Sequence, residues 1–136
     1  MRIKRYLLTC VVLFLVALVW NGLVHLVVLR QVDAAVQHLF RADFQERVWL
    51  SLIVTAGMIA LFVWGYSRFA RGASAVEGAR YALFFGLLAG LLVDLNQYVL
   101  YPLPAGVVAL WFVGGMIEFQ LYAFLVRKLF PPVSSG

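Results

Sequence analysis

Read as apolar and polar positions, the chain shows four long apolar stretches separated by short segments that hold nearly all the charge: Tyr6 to Leu29, Trp49 to Tyr66, Arg80 to Tyr101 and Ala105 to Val126. A helix needs roughly 20 apolar residues to cross a hydrocarbon core about 30 Å thick, and each stretch approaches that length. The pattern therefore predicts an all-α integral membrane protein, a four-helix transmembrane bundle with the lipid bilayer as its solvent. Residues 1–130 form one four-span domain, followed by a polar tail over residues 131–136.

The segments between the spans carry local signals. Val32, Val36, Leu39, Phe40, Phe44 and Val48 recur at helical spacing, with Asp33, Gln37, Arg41 and Gln45 on other faces. This predicts an amphipathic helix on the outer surface between spans one and two. Asp43 and Arg47 form an i,i+4 pair there, and His38 reads as a solvated residue. Arg71-Gly72-Ala73 ends span two, and Ser74 with Glu77 makes the S-x-x-E capping box that opens span three. Pro102-Leu103-Pro104 allows only a tight hairpin, so spans three and four are antiparallel neighbours. Trp49, Tyr101, Trp64 and Tyr66 near the boundaries suit aromatic belts.

Composition excludes the alternatives. With 65% hydrophobic and 12% charged residues the chain is neither an ordinary soluble domain nor a disordered one. The net charge of +5 is topological. Arg2, Lys4, Arg5, Arg68, Arg71, Arg80, Arg127 and Lys128 share one side, whereas Arg30, Arg41 and Arg47 on the other are offset by Asp33, Asp43 and Glu46. The positive-inside rule puts both termini in the cytoplasm, as in a bacterial inner membrane. No basic patch lies outside the membrane flanks, so nucleic acid is not an expected partner. The first apolar run, about 24 residues, far exceeds the 7 to 15 of a signal-peptide core and reads as a retained helix. Cys10, the one cysteine, cannot form a disulfide within its chain, and no phosphate-loop, zinc-protease, CxxC or nucleophile-elbow motif occurs.

Chemistry must then reside in the few polar residues within the spans, because lipid offers them no hydrogen bonds. Taking about 1.5 Å per residue, Asn21, Thr55 and Asp94 lie about 4 to 6 Å to the outer side of the midplane, His25, Ser51 and Gln97 about 10 Å out, and Glu118 about 3 Å to the inner side. Gly86, Gly90, Asp94, Gln97 and Tyr101 form one stripe on span three, a small-residue packing surface that turns polar. On span four Trp111, Gly114 or Gly115, Glu118 and Tyr122 share a face. Asn96 and Gln120 fall off the best stripes. Asn21, Ser51, Thr55 and Gln97 suit interhelical hydrogen bonds, and His25 a bond to Asp94 or to a backbone carbonyl. Asp94 and Glu118, as intramembrane carboxylates, are functional candidates by default. A metal site from His25, Asp94 and Glu118 is disfavoured by the depth of Glu118, so no metal or cofactor is expected.

Two functions compete. In the first, the chain is a homo-oligomeric proton- or cation-linked transporter or channel, with Asp94 and Glu118 exchanging the proton or cation and His25, Asn21, Gln97 and Thr55 lining an outward-opening polar cavity. In the second, it is a non-catalytic accessory subunit of a larger membrane complex, its polar residues and glycines serving assembly. A membrane enzyme built on a buried histidine and carboxylate is the weaker third reading.

Overall fold

The computed structural model describes residues 3–70 and 74–130. Four stretches in it, Ile3–Val28, Gln45–Phe69, Ala75–Leu100 and Ala105–Leu129, are helices long and apolar enough to span a membrane. Their cause is elementary: in hydrocarbon every backbone N–H and C=O needs a partner from its own segment, and a helix supplies it. At 25 or 26 residues each, the helices are about 38 Å long and outreach the hydrocarbon core. Most therefore run several residues past the apolar stretches seen in sequence. The expected tail 131–136 and the Arg71–Ala73 end of span two lie outside the described residues.

In chain order, α1 (Ile3–Leu23) continues through a wide π-helical turn, Val24–Val28, into the short α2 (Arg30–Val36). Next come α3 (Val48–Phe69) and α4 (Ala75–Ala89), then a second π-helical stretch, Gly90–Leu95, which leads into α5 (Asn96–Leu100). The final helix is α6 (Ala105–Leu129). The capping box forms as expected: Glu77 N–H donates to Ser74 Oγ at 3.3 Å and Ser74 N–H donates to Glu77 Oε2 at 3.2 Å. The Pro102–Pro104 hairpin turns the chain so that α6 packs along α4. Gly86 and Gly90 make that approach close, since a β-carbon on Gly86 would lie 2.9 Å from Met116 Sδ and one on Gly90 would run into the Phe112 ring.

The two ends of the bundle differ. Toward the end where α1 begins and α6 stops, Phe62 is fully buried, with ring centroids 5.1 Å from Tyr81, 5.2 Å from Phe85, 5.7 Å from Phe119 and 5.8 Å from Tyr122. Leu13, Ala17, Ile59, Val63 and Val126 close around these rings. Tyr hydroxyls there are tied to carbonyls of α3, Tyr6 to Ala60 and Tyr81 to Phe62, each at 2.9 Å. Aromatic rings at these spacings fill volume well, so the core of this half is closely packed.

The segment joining α1 to α3 departs from the single amphipathic helix expected through Val48. Helix persists to Val36, one tight 3-10 turn follows over Gln37–Leu39, and Phe40 is extended with ψ 158°. The break has a local reason. Asp43 accepts from Arg41 Nε two residues before it, at 2.9 Å, and also from Arg47 four residues after it. An i,i+2 pair does not meet on a helix, so this polar clasp favours a turn. Arg47, then Arg41, hold the exposed Asp43 carboxyl below its ordinary 3.8. The helical part does not lie free: Val36 is buried with Leu103, Val107 and Val108, and α2 caps the hairpin end of α6.

Candidate functional site

Away from the aromatic half the helices line an open cavity of about 1140 Å³. Asn21, His25, Ser51, Thr55, Asp94, Gln97 and Glu118 all line it, so polar groups from every span face one space. Gly86, Gly90 and Tyr101 complete the span-three stripe along its wall. Arg30, Asp33, Gln37 and Arg41 of the connecting segment line it from the opposite end.

Both π-helical turns fall on the site. His25 lies in Val24–Val28 and Asp94 in Gly90–Leu95. In the first, Leu29 N–H reaches back five residues to Val24 C=O at 2.7 Å. Such a turn widens the helix and redirects the side chains it holds, and π-bulges occur frequently at functional sites. Neither turn is visible in an apolar pattern, which is insensitive to one residue more per turn.

Glu118 forms the floor. Its Oε1 accepts a hydrogen bond from Asn21 Nδ2 at 2.9 Å and another from the fully buried Tyr122 hydroxyl. Asn21 Nδ2 also donates to Ala17 C=O at 2.9 Å, one turn earlier on α1. Tyr122 packs on the aromatic cluster, so the carboxylate stands at the boundary between the solid half and the hollow one. An ionised carboxylate accepts only; both donors reach Oε1, and no described residue donates to Oε2.

Asp33 closes the other end. Trp111 Nε1–H donates to its Oδ1 at 2.8 Å, and His25 Nδ1 lies 2.7 Å from its Oδ2. Against an ionised carboxylate the histidine nitrogen must carry the proton and donate. The bonds tie α2 to α1 and α6. They replace the expected His25–Asp94 bond, because α2 folds back over the cavity and brings Asp33 nearer the ring than the Gly90–Leu95 turn brings Asp94. Sequence reading placed Asp33 among solvated residues. The signal against that was its spacing: Asp33 and the buried Val36 are three apart, on one helix face.

Asp94 is different again. Among the described residues none donates a hydrogen bond to its half-buried carboxyl, which faces the cavity within electrostatic reach of His25. Gln97, one turn on, and Thr55, across on α3, face the same space. Ser51 also satisfies its own hydroxyl by donating to Val48 C=O at 2.7 Å. Both Gly114 and Gly115 border the cavity; a β-carbon on Gly114 would lie 3.8 Å from Val24, whereas one on Gly115 would meet nothing within 4 Å. The remaining polar residues lie elsewhere. Gln120 donates to Ala79 C=O at 3.2 Å and joins α6 to α4; Asn96 and His38 are exposed and outside the lining. No group of three His, Cys, Asp or Glu side chains among the described residues is placed to hold a metal ion.

Fold and site together define an integral membrane four-helix bundle, closely packed at one end, with an amphipathic cavity at the other in which Asp94 has no hydrogen-bond donor among the described residues. No protein-family model matches the chain, and neither a curated protein nor a solved structure shows significant similarity to it.

Proposed function

We propose that this chain is a small proton- or cation-linked membrane transporter whose cavity alternates access to Asp94 and Glu118. One observation carries the reading: polar side chains from all four spanning stretches meet in one large cavity, at whose floor an acid sits on a solid aromatic plug. Helix cohesion alone needs paired polar groups and close contact. Here, by contrast, Asp94 has no donor among the described residues and space lies before it. A carboxyl in such surroundings exchanges a proton for a cation at little electrostatic cost, since one positive charge replaces another.

In this reading Glu118, Asn21 and Tyr122 form the inner station and Asp94 with Gln97 and Thr55 the middle one. His25, Asp33 and Trp111 fasten the segment over the mouth. The basic flanks support, through the positive-inside rule, a reading with both termini on the cytoplasmic side of a bacterial inner membrane and the mouth on the outer side. Asn96 supports a homo-oligomer: its amide is exposed on α5 and outside the cavity lining, where a second copy offers a hydrogen-bond partner.

The test is flux. Purified protein in vesicles with a pH or cation gradient should dissipate that gradient faster than empty vesicles, and Asp94→Asn or Glu118→Gln should return the rate to background while folding is kept. An amide preserves shape and hydrogen bonding but cannot titrate. Wild-type flux equal to that of empty vesicles, with reproducible copurification of larger partners from native membranes, would establish the accessory role instead.

A further inference from the structure

The cavity's walls say more about its cargo than its acids do. A bare divalent metal ion requires several ligands within about 2.0 to 2.6 Å of one point, and the described residues bring no three His, Cys, Asp or Glu side chains together. The volume, about 1140 Å³, is instead slightly above the roughly 300 to 1,000 Å³ of sites for drug-sized molecules, with room for one such body. Aromatic side chains share the lining with the acids: Trp20 on α1, Trp111, Phe112 and Phe119 on α6, and Phe40 and Phe44 on the connecting segment. Carboxylates beside aromatic faces are the chemistry that recognises an organic cation, whose charge is attracted both to the acid and to the ring quadrupole. Val54, Met58 and Val93 supply apolar surface for its body. Of the two arginines on the lining, Arg41 is occupied by Asp43 through bonds of 2.9 and 3.3 Å, and both belong to the connecting segment, away from Glu118.

We infer that the cargo is an organic cation with an apolar or aromatic body, held with its charge at Asp94 and its body against the aromatic wall. This rests on the cavity being the transport site, and it narrows that reading to a substrate class. Asp94 takes the charge because no described residue donates a hydrogen bond to it, whereas two donors already occupy Glu118.

The test separates charge from greasiness. Tetraphenylphosphonium and tetraphenylborate are nearly the same in shape and opposite in charge. Equilibrium dialysis of the full chain in lipid nanodiscs should show saturable binding of tetraphenylphosphonium and none of tetraphenylborate above the protein-free nanodisc. Asp94→Asn should weaken phosphonium binding at least tenfold, and Asp94→Glu should retain most of it. Trp20→Leu, which keeps an apolar wall and removes a π face, should weaken it severalfold and provides an independent check should Asp94 variants misfold. Equal binding of both ions, or phosphonium uptake unchanged in Asp94→Asn and Trp20→Leu, would overturn the assignment. Saturable, Asp94-dependent binding without flux in vesicles would leave this assignment standing and overturn the transport reading. Proton flux without phosphonium binding would do the reverse.

Discussion

Three carboxylates on one cavity have three different environments, and that difference is what a single side chain contributes to function here. Asp33 is a fastener. Removing the indole donor by Trp111→Phe leaves Oδ1 of a half-buried carboxylate short of a partner, which should cost about 1 to 3 kcal/mol. Thermal unfolding in detergent should show the loss, and an unchanged midpoint would mean the bond is replaced by water. Asp43, in the exposed clasp, gives the pH dependence with a definite sign. Arg47 and Arg41 hold its folded pKa below 3.8, so its contribution to stability is present above that value and is lost as pH falls through the lower folded value. Asp43→Asn should therefore be less stable than wild type at neutral pH and indistinguishable from it in strong acid. A difference that persists in acid would show that shape, not charge, matters in the clasp.

Among the elements, the pair α4 and α6 sets the width of the cavity, through glycines that face different things. Gly90 lies under the Phe112 ring, so Gly90→Ala forces a ring or a helix to move and should cost about 1 to 3 kcal/mol. Gly115→Ala points a methyl group at open space and should cost little, and the same holds for Gly57→Ala on α3. Similar melting temperatures for all three would contradict the close α4–α6 contact. Sequence reading located the Gly86–Gly90 stripe because four-residue spacing survives in any helix. It did not separate Gly115 from Gly114, since both share a turn and only the position of α1 decides which one is covered. The same limit explains the connecting segment. Apolar periodicity from Val32 to Val48 fits a helix, yet the Arg41–Asp43–Arg47 clasp and the docking of Val36 on Leu103 are decided by side-chain geometry that periodicity does not contain.

For the whole molecule, four spans and the residues inside them were legible because the bilayer penalises every unpaired polar group, which makes the few exceptions conspicuous. Helix depths at about 1.5 Å per residue placed Asn21, Thr55 and Asp94 at similar heights, and these residues do share a cavity. The π-helical turns and the inward Asp33 were not legible, since both arise from how the helices are joined. The central claim is that the intramembrane polar residues face water in a cavity reached from the connecting segment. Cysteine accessibility tests it most directly. In a Cys10→Ser background, Thr55→Cys and Gln97→Cys should react with a membrane-impermeant methanethiosulfonate reagent added on the side of that segment. Leu15→Cys, 57% exposed in the bundle but outside the cavity lining, should stay unmodified in lipid. Rapid labelling of Thr55→Cys and Gln97→Cys with none at Leu15→Cys is the expected result; protection of both cavity positions, or equal labelling of all three, would contradict it.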